Sequence, residues 1–206
     1  MNRIPKLFLL LSLPLYVIDQ ISKWWIVFKF PAPYVNEFGQ HVEPTEVVWE
    51  GVFNLVRRHN QGVAFGFGNG TAWAPIVFMG VLVVALVVIS IFWKKGAFAN
   101  WPAKIAAALL VAGILGNLTD RLFQGFWLKE HEDASFVTRL SHGYVVDFLD
   151  VKIPGYEKIA PRSGGHWPAF NVADSCISCA AVLLFVSAFV PVKEEMEFEE
   201  SAETKI

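Results

Sequence analysis

Four long apolar stretches recur along the chain, and shorter polar segments separate them. A bilayer core requires about 20 mostly apolar residues per helix. The stretches that meet this length are residues 5–28, 71–93, 101–123 and 170–192. No small-x-small cleavage pattern follows the first stretch, so it is expected to remain as a helix rather than to be removed as a signal peptide. The pattern predicts four transmembrane helices within a single domain, residues 1–192.

The positions of Lys and Arg beside these stretches predict an orientation. The basic residues of the short flanks are Arg3, Lys6, Lys94, Lys95 and Lys104. Because such flanks favour the cytoplasm, both termini and the link between the second and third helices are expected inside, with residues 30–70 and 124–169 outside. Arg57 and Arg58 fall in the first external segment and make this asymmetry moderate. Residues 193–206 contain six glutamates and predict a disordered cytoplasmic tail.

The first external segment has a pattern of its own. Residues 47–60 are rich in β-branched and aromatic side chains, and Gly51 interrupts them. Such a run is typical of one or two short strands, here lying at the membrane surface. The predicted fold class is therefore an all-α membrane protein with four transmembrane helices, a small periplasmic β-structure and extended external loops.

Composition is typical of a membrane protein and argues against a nucleic-acid-binding site and a zinc site. Hydrophobic residues make up 54% of the chain and charged residues only 17%, whereas soluble domains carry about 25% charged residues. A net charge of −2 argues against a nucleic-acid partner, which would require a basic stripe. Cys176 and Cys179 are too few for a tetrahedral zinc site and have no His at ligand spacing, so neither a metal nor another cofactor is expected.

Ionisable residues in membrane helices are functional candidates because they are costly to insert. Asp19, Asp120 and Asp174 all fall toward the external ends of predicted helices, and Asp147 lies externally within the apolar run 144–149. Such a run is expected to pack against the bundle, which brings Asp147 and Asp174 together. Two close carboxylates share a proton near neutral pH, and such a pair can activate water and protonate a leaving group.

Each of these residues also has a structural interpretation. Asp174 suits the first turn of a helix as a cap, and Asp19 and Lys23 have the i, i+4 spacing of an ion pair. Asp120 and Arg121 are adjacent and diverge on a helix. Asp120 and Arg121 are consistent with structural ion pairs to other groups. They are equally consistent with a role in which Arg121 orients a carbonyl of a bound peptide and Asp120 holds Arg121 in place. Three asparagines beside small residues on the same face can bind an extended peptide: Asn60, Asn117 and Asn171.

Other functional classes remain open at this stage. A small transporter would place acids nearer the midplane and show an inverted repeat, which this chain lacks. A thiol oxidoreductase would depend on Cys176 and Cys179, although two small residues packed between helices explain them equally simply. A non-catalytic assembly subunit is consistent with the composition and would tolerate Asn at positions 147 and 174.

Five short motifs, in order, resemble those of lipoprotein signal peptidase, the bacterial type II signal peptidase family. They are DQISK at 19–23, NQGVAF at 60–65, GILGNLTDR at 113–121, VVDF at 145–148 and FNVADS at 170–175. Each is short enough to arise by chance, but five in the family's order across the membrane core are specific.

The resemblance implies an aspartic endopeptidase without cofactor, with Asp147 and Asp174 as the catalytic pair. It assigns substrate-binding positions to Asn60, Gly62, Ala64, Asn117, Arg121 and Asn171. It assigns supporting positions to Asp19, Lys23, Asp120 and Ala173. The implied substrate is a diacylglyceryl prolipoprotein, cut just before its lipidated cysteine by a monomer embedded in membrane lipid of the bacterial inner membrane. Three external stretches, 31–50, 122–144 and 151–168, are longer than the family's usual links.

Overall fold

Helices dominate the protein. The computed structural model describes residues 6–62, 68, 71, 73–128 and 131–192. Its helices are α1 (Leu13–Lys29), α2 (Ala74–Lys94), α3 (Trp101–Phe123), the short α4 (Phe136–Ser141) and α5 (Val172–Ser187). A π-helical segment, Phe8–Ser12, leads directly into α1. Ala64, predicted to bind substrate, and the predicted tail 193–206 lie outside the described residues.

Within the described part of the chain, two segments have the length and composition needed to cross a membrane, Ala74–Lys94 and Trp101–Trp127, while Val172–Ser187 is apolar but shorter. The third predicted helix has the observed bounds, and the second begins at Ala74 rather than residue 71. The fourth helix was predicted at 170–192 and is observed at Val172–Ser187, so its bounds differ more. Its N-terminus is set by Asn171, which caps the helix, and Pro191 disfavours helical continuation beyond it.

Helix α3 lies at the centre and packs against α1, α2 and α5. Two glycines allow α5 and α1 to approach its backbone. A Cβ at Gly113 would lie 2.5 Å from the Ala173 carbonyl oxygen, and one at Gly116 would lie 2.5 Å from Asp19 Oδ2. Small residues permit such close packing between membrane helices, and here they bring the first turn of α5 beside Asp19.

A three-stranded antiparallel sheet covers the end of the bundle where α1 and α3 finish. Its strands are β3 (Thr45–Trp49), β4 (Phe53–Asn60) and β5 (Val145–Val151), in the order β3-β4-β5, and a separate hairpin joins β1 (Tyr34–Val35) to β2 (His41–Val42). One or two strands were predicted within 47–60, and two are present, β3 and β4, with Gly51 in their turn at φ 71°. Strand β5 was not predicted.

The sheet is attached to the helices by a small hydrophobic core. Ile26 and Phe30 from the end of α1 pack with Tyr144, Val146 and Phe148 from the start of β5. Because side chains alternate along a strand, this packing turns Asp147 away from these core residues. The core therefore fixes β5 against α1 and leaves Asp147 free to face α3 and α5.

The longer external links have structure of their own. Gln124–Trp127 continues α3 as a 3₁₀ turn, and Tyr156–Lys158 and Pro161–Ser163 form two more after β5. At the end of the first link, Gly143 lies so close to the Arg121 backbone that a Cβ would not fit. This contact returns the chain to the end of α3, so that β5 begins beside the polar residues of that helix.

Candidate active site

Asp147 lies in the middle of β5 and is 2% exposed. Asn60 at the end of β4 donates from Nδ2 to Asp147 Oδ2 at 3.0 Å, and Asn171 donates from Nδ2 to Oδ1 at 2.8 Å. Burial raises the pKa of Asp147 to about 8, and the negative charge of Asp174 adds to the rise. The carboxyl group is therefore held by two neutral amides in an environment that favours its protonated form.

Asp174 approaches from the other side, in the first turn of α5. Asn171 and Asp174 form a capping box, in which Asn171 Oδ1 accepts from the Asp174 backbone N–H at 2.9 Å. The structural interpretation of Asp174 as a helix cap is thus correct. The cap leaves Oδ1 available, and Asn117 of α3 donates to it from Nδ2 at 2.8 Å. Asp174 serves as a cap and faces the site at the same time.

Asn171 connects the two aspartates and is fully buried. Its amide nitrogen contacts Asp147 at 2.8 Å and lies 3.3 Å from Asn117 Oδ1, while its backbone N–H reaches Asp174 Oδ2 at 3.3 Å. The predicted approach of Asp147 and Asp174 is therefore present. The two carboxylates belong to one hydrogen-bonded network with the side chains of Asn60, Asn117 and Asn171.

Asp19, Lys23 and Asp120 form a second polar group beside this network. Lys23 Nζ lies 2.9 Å from Asp19 Oδ2 and 3.1 Å from Asp120 Oδ2, and all three side chains are almost completely buried. The predicted Asp19–Lys23 ion pair is confirmed. Lys23 also donates to Asn117 Oδ1 at 2.9 Å, which orients the Asn117 amide nitrogen toward Asp174.

Both acids of this group also position backbone. Asp19 Oδ1 accepts from the Ala173 N–H at 2.8 Å, and Asp120 Oδ2 accepts from the Val146 N–H at 3.0 Å. Ala173 precedes Asp174, and Val146 precedes Asp147. The supporting residues therefore hold the backbone immediately before each candidate catalytic residue. Ala173 itself is small enough for α5 to meet Gly116 of α3.

Arg121 was expected to bind substrate, which stays a prediction; it lines the same cavity as Asp147 and Asp174 and also binds its own chain. Its guanidinium donates to the carbonyl oxygens of Gln61 and Gly62, at 3.0 Å from the first, and lies over the Phe78 ring. The expectation that Asp120 holds Arg121 finds no support among the described contacts, because Asp120 bonds to Lys23 and to other donors. In this structure Arg121 holds the external loop that follows β4, through two carbonyls of its own chain.

The aspartates open into a cavity of about 640 Å³. Its walls combine the polar network with apolar side chains of α2, of α5 and of the segment just before α5. Those that define it are Phe78, Val81, Leu82, Trp167, Phe170 and Ile177. The signal that could have found them was their position one or two turns from the external helix ends. The cavity is large enough for a peptide segment and a neighbouring apolar group.

Gln20 is a further member of the site that sequence reasoning missed. Its Nε2 lies 3.1 Å from Asp19 Oδ2, 3.2 Å from Asp120 Oδ1 and 3.2 Å from the Gly116 carbonyl oxygen. Its place inside the DQISK motif was the available signal. Among the residues that the structure describes, no group of three His, Cys, Asp or Glu could hold a metal ion. Cys176 and Cys179 are free thiols, the first buried and the second exposed.

Comparisons with known proteins agree with this geometry. The model of the family described as signal peptidase (SPase) II matches residues 11–190. A lipoprotein signal peptidase of Francisella tularensis subsp. novicida is 32% identical over 81% of this chain and 84% of its own length. One from Alteromonas mediterranea is 30% identical over 96% of this chain and 88% of its own length.

Solved structures give the same fold. A bacterial membrane enzyme determined by the in meso method at 2.3 Å resolution superposes with a TM-score of 0.64 and 24% identity, covering 88% of this chain and 87% of its own. A second, at 1.9 Å resolution, gives 0.60 at 24% identity. Together with the match across most of the sequence, these findings show that the chain belongs to the signal peptidase II family of lipoprotein signal peptidases.

Proposed function

We propose that Asp147 and Asp174 carry out the peptide hydrolysis that membership of the signal peptidase II family assigns to this protein. The observation that carries the proposal is their arrangement. Both are held by asparagine amides, both line one cavity, and Asn171 contacts both of them. A carboxylate pair that keeps one proton provides a base and an acid together without a metal.

The reaction follows from the protonation of the pair. Because the pKa of Asp147 is raised to about 8, one proton remains on the pair at neutral pH. The ionised carboxylate accepts a proton from water as the water oxygen attacks the scissile carbonyl carbon. The protonated carboxyl group donates to the carbonyl oxygen, and a proton then passes to the leaving amine as the C–N bond breaks. Each positioned proton transfer contributes about 10²–10⁴-fold in rate.

The asparagines keep these carboxyl groups in position. Asn60 and Asn171 bond to different oxygens of Asp147, and Asn117 bonds to Asp174. Neutral donors orient a carboxyl group without fixing it in the ionised state as a cation would. We propose that the amides of this network also bind the substrate backbone, and that Ala64 contributes to substrate binding.

The substrate proposed is a prolipoprotein whose cysteine carries diacylglycerol, cleaved just before that cysteine. The named relatives are lipoprotein signal peptidases, and the cavity has features that fit such a substrate. One wall consists of Phe78, Val81 and Leu82 from α2, a helix whose other side chains are largely exposed. A lipid anchored in the bilayer could therefore enter from the side while the peptide remains at the polar end.

We further propose the arrangement in the membrane. Helices α1, α2, α3 and α5 cross a bacterial cytoplasmic membrane, with both termini inside and the sheet facing the periplasm. The basic flanks support this orientation, as does the position of Trp73, Trp127 and Trp167 near the sheet end, since aromatic residues collect at interfaces. The protein is expected to act as a monomer.

The test is a cleavage assay on purified protein in detergent, with prolipoprotein that carries or lacks the diacylglyceryl group. Cleavage of the lipidated form alone is expected, with no loss in chelator. Asp147→Asn and Asp174→Asn should each abolish turnover. Asp150→Asn is the matched control, because Asp150 lies on the same strand but bonds to Asn54 and His166. Wild-type turnover in either dyad variant would refute the assignment.

The same assay separates the alternatives. A transporter or a non-catalytic subunit would give no cleavage product with any substrate, and an assembly subunit would tolerate Asn at both positions. A thiol oxidoreductase would lose its activity when Cys176 and Cys179 are replaced by Ala. The peptidase is expected to keep nearly all of its activity in that double variant.

A further inference from the structure

Two adjacent arginines in β4 have entirely different surroundings. The pairing register of β4 with β5 shifts between Leu55 and Arg58, so Arg57 lies at an irregularity and its side chain does not have to follow the regular alternation of a strand. Arg58 forms a two-bond ion pair with Glu43, at 2.8 and 2.6 Å, and its side chain is 38% exposed. Arg57 is 7% exposed and has no acidic partner among the described ion pairs. Its burial therefore needs another explanation.

Arg57 binds the end of α1. Its Nη1 donates to the Val27 carbonyl oxygen at 3.0 Å and to the Phe30 carbonyl oxygen at 2.7 Å. The last carbonyls of a helix lack partners within the helix, and a cation there is favoured by the helix dipole. The guanidinium thus acts as a cap supplied by a strand, and it ties β4 to α1.

The same side chain reaches toward β5 through two aromatic rings. Arg57 Nε donates to His59 Nε2 at 3.2 Å. Burial, and next the charge of Arg57, lower the pKa of His59 to about 3, so its ring is neutral and can accept. His59 stacks on Tyr144 with ring centroids 3.7 Å apart, and Tyr144 immediately precedes β5. We call Arg57, His59 and Tyr144 the Arg57 cluster.

The Arg57 cluster joins the two halves of the proposed catalytic site. Strands β4 and β5 carry Asn60 and Asp147. Helix α1 carries Lys23, which orients Asn117 and, through it, Asp174. The position of Asp147 relative to Asp174 therefore depends on how the sheet packs against α1. Arg57 makes the hydrogen bonds at that contact, next to the core packing of Phe30 and Tyr144.

We propose that Arg57 is a positioning residue for the hydrolysis. Its hydrogen bonds to the end of α1 hold β4 and β5 in the place where Asp147 lies beside Asp174. The inference rests on the proposed function of that pair. Arg57 touches neither aspartate directly among the described hydrogen bonds, so its effect is on distance and on water exclusion. Displacement of a reacting group by about 1 Å can cost on the order of a hundredfold in rate.

The electrostatic surroundings of Asp147 make a pH profile informative. Besides its two asparagine donors, the charged groups that act on it are Asp174, Lys23, Arg58 and Arg121. Arg57 is not among the main contributors to its raised pKa. Loss of Arg57 should therefore change the titration of Asp147 through hydration alone. Water entering beneath a loosened sheet would lower its pKa, and the alkaline limb would move to lower pH.

The experiment compares Arg57→Gln and Arg57→Lys with Arg58→Gln as the matched control. Each purified variant is assayed for kcat and KM on lipidated prolipoprotein from pH 5 to 9.5, with its folded fraction measured alongside. Arg57→Gln should lower kcat roughly ten- to a hundredfold with little change in KM, and shift the alkaline limb to lower pH. Arg57→Lys retains a donor for the helix end but not the bond to His59, and should fall between. Arg58→Gln should keep kcat at neutral pH near wild type. Because it removes a positive charge that acts on Asp147, it should move the alkaline limb to higher pH, opposite to Arg57→Gln.

The outcomes are separable from those of the dyad variants. If Arg57→Gln lowers thermal stability while kcat per folded enzyme and the alkaline limb stay as in wild type, Arg57 is only structural and the inference is wrong. Equal losses in Arg57→Gln and Arg58→Gln would also overturn it. If Arg57→Gln does not fold, Arg57→Lys decides by the same two readouts. Full activity in Asp147→Asn would instead refute the proposed function.

Discussion

The molecule buries two pairs of aspartates side by side, and one lysine distinguishes them. Asp19 and Asp120 face the ammonium of Lys23 at 2.9 and 3.1 Å. Asp147 and Asp174 accept hydrogen bonds from asparagine amides instead. Asn117 lies between Lys23 and Asp174 and bonds to both. The four residues belong to one junction between helices and sheet, so the difference lies in their immediate partners.

This difference distinguishes Asp19 and Asp120, which hold structure, from Asp147 and Asp174, which are proposed to react. A buried carboxylate beside a cation is stabilised in its ionised form, whereas one beside another carboxylate and neutral amides favours its protonated form. Asp19 and Asp120 bind Lys23 and also accept from the backbone N–H groups of Ala173 and Val146. Asp147 and Asp174 are the pair proposed to share the proton that hydrolysis requires. Sequence position alone made Asp120 as plausible a catalyst as Asp147.

The largest expected effect comes from neutralising either reactive acid. In Asp147→Asn or Asp174→Asn, kcat should fall by on the order of 10³-fold or more, since a positioned proton transfer is lost. Thermal stability should hold or rise, because like charges no longer meet in a buried site. Single-turnover cleavage and thermal unfolding of each variant measure both quantities. A variant that lost stability rather than turnover would place these acids in the structural group.

Removing the shared lysine should give the opposite result. Lys23→Met leaves Asp19 and Asp120 buried without their cation, which should cost about 3–5 kcal/mol of stability. Thermal unfolding in detergent measures the loss. Lys29→Met is the control, because Lys29 is 33% exposed in its pair with Glu46, and such a surface pair contributes at most about 1 kcal/mol. Equal losses in the two variants would contradict the comparison.

The pH dependence of cleavage sharpens the comparison further. The pKa of Asp147 is raised to about 8 by burial and then by Asp174. Below that pH the pair retains its shared proton, and above it the proton is lost, so kcat should fall as pH rises through about 8, approaching tenfold per pH unit. A rate profile from pH 5 to 9.5 measures the limb. A rate that stays constant to pH 9.5 would show that no proton of this pair is needed.

Sequence patterns predicted much of this arrangement. Hydrophobic runs located the helices, the β-rich run at 47–60 predicted one or two strands, and the i, i+4 spacing predicted the Asp19–Lys23 pair. Strand β5 was missed, because its buried run does not alternate in polarity and its partner β4 lies more than 80 residues away along the chain. Pairing of that kind depends on tertiary packing, which a local pattern does not contain.

The targets of the arginines were also beyond the sequence. Arg121 was expected to bind substrate, and its hydrogen bonds to the carbonyls of Gln61 and Gly62 were not expected. Arg57 counted only as an external positive charge, although it caps α1. A guanidinium has five donors and many possible acceptors. Which acceptors the guanidinium binds depends on which backbone carbonyls the fold leaves unpaired nearby, and the sequence does not show those carbonyls.

The smallest expected effect concerns one amide of the reactive pair. Asn60 donates to Asp147 and lowers its pKa, against the larger effect of burial. In Asn60→Ala the ionised form loses this bond, so the pKa of Asp147 should rise and the alkaline limb should move above that of wild type. A lost bond to a charged group is worth about 1.5–3 kcal/mol, which sets an upper bound of roughly one to two pH units, because water can replace part of it.

The direction of that shift makes Asn60→Ala a strict test of how the reactive pair is held. Arg57→Gln is expected to move the same limb downward by admitting water, and Asn60→Ala to move it upward by removing a donor. Asn54→Ala is the matched control, since Asn54 lies on the same strand and bonds to Asp150. A downward shift in Asn60→Ala would mean that Asn60 acts chiefly by excluding water. The neutral amides would then orient the aspartates less than the packing of the sheet on α1 does.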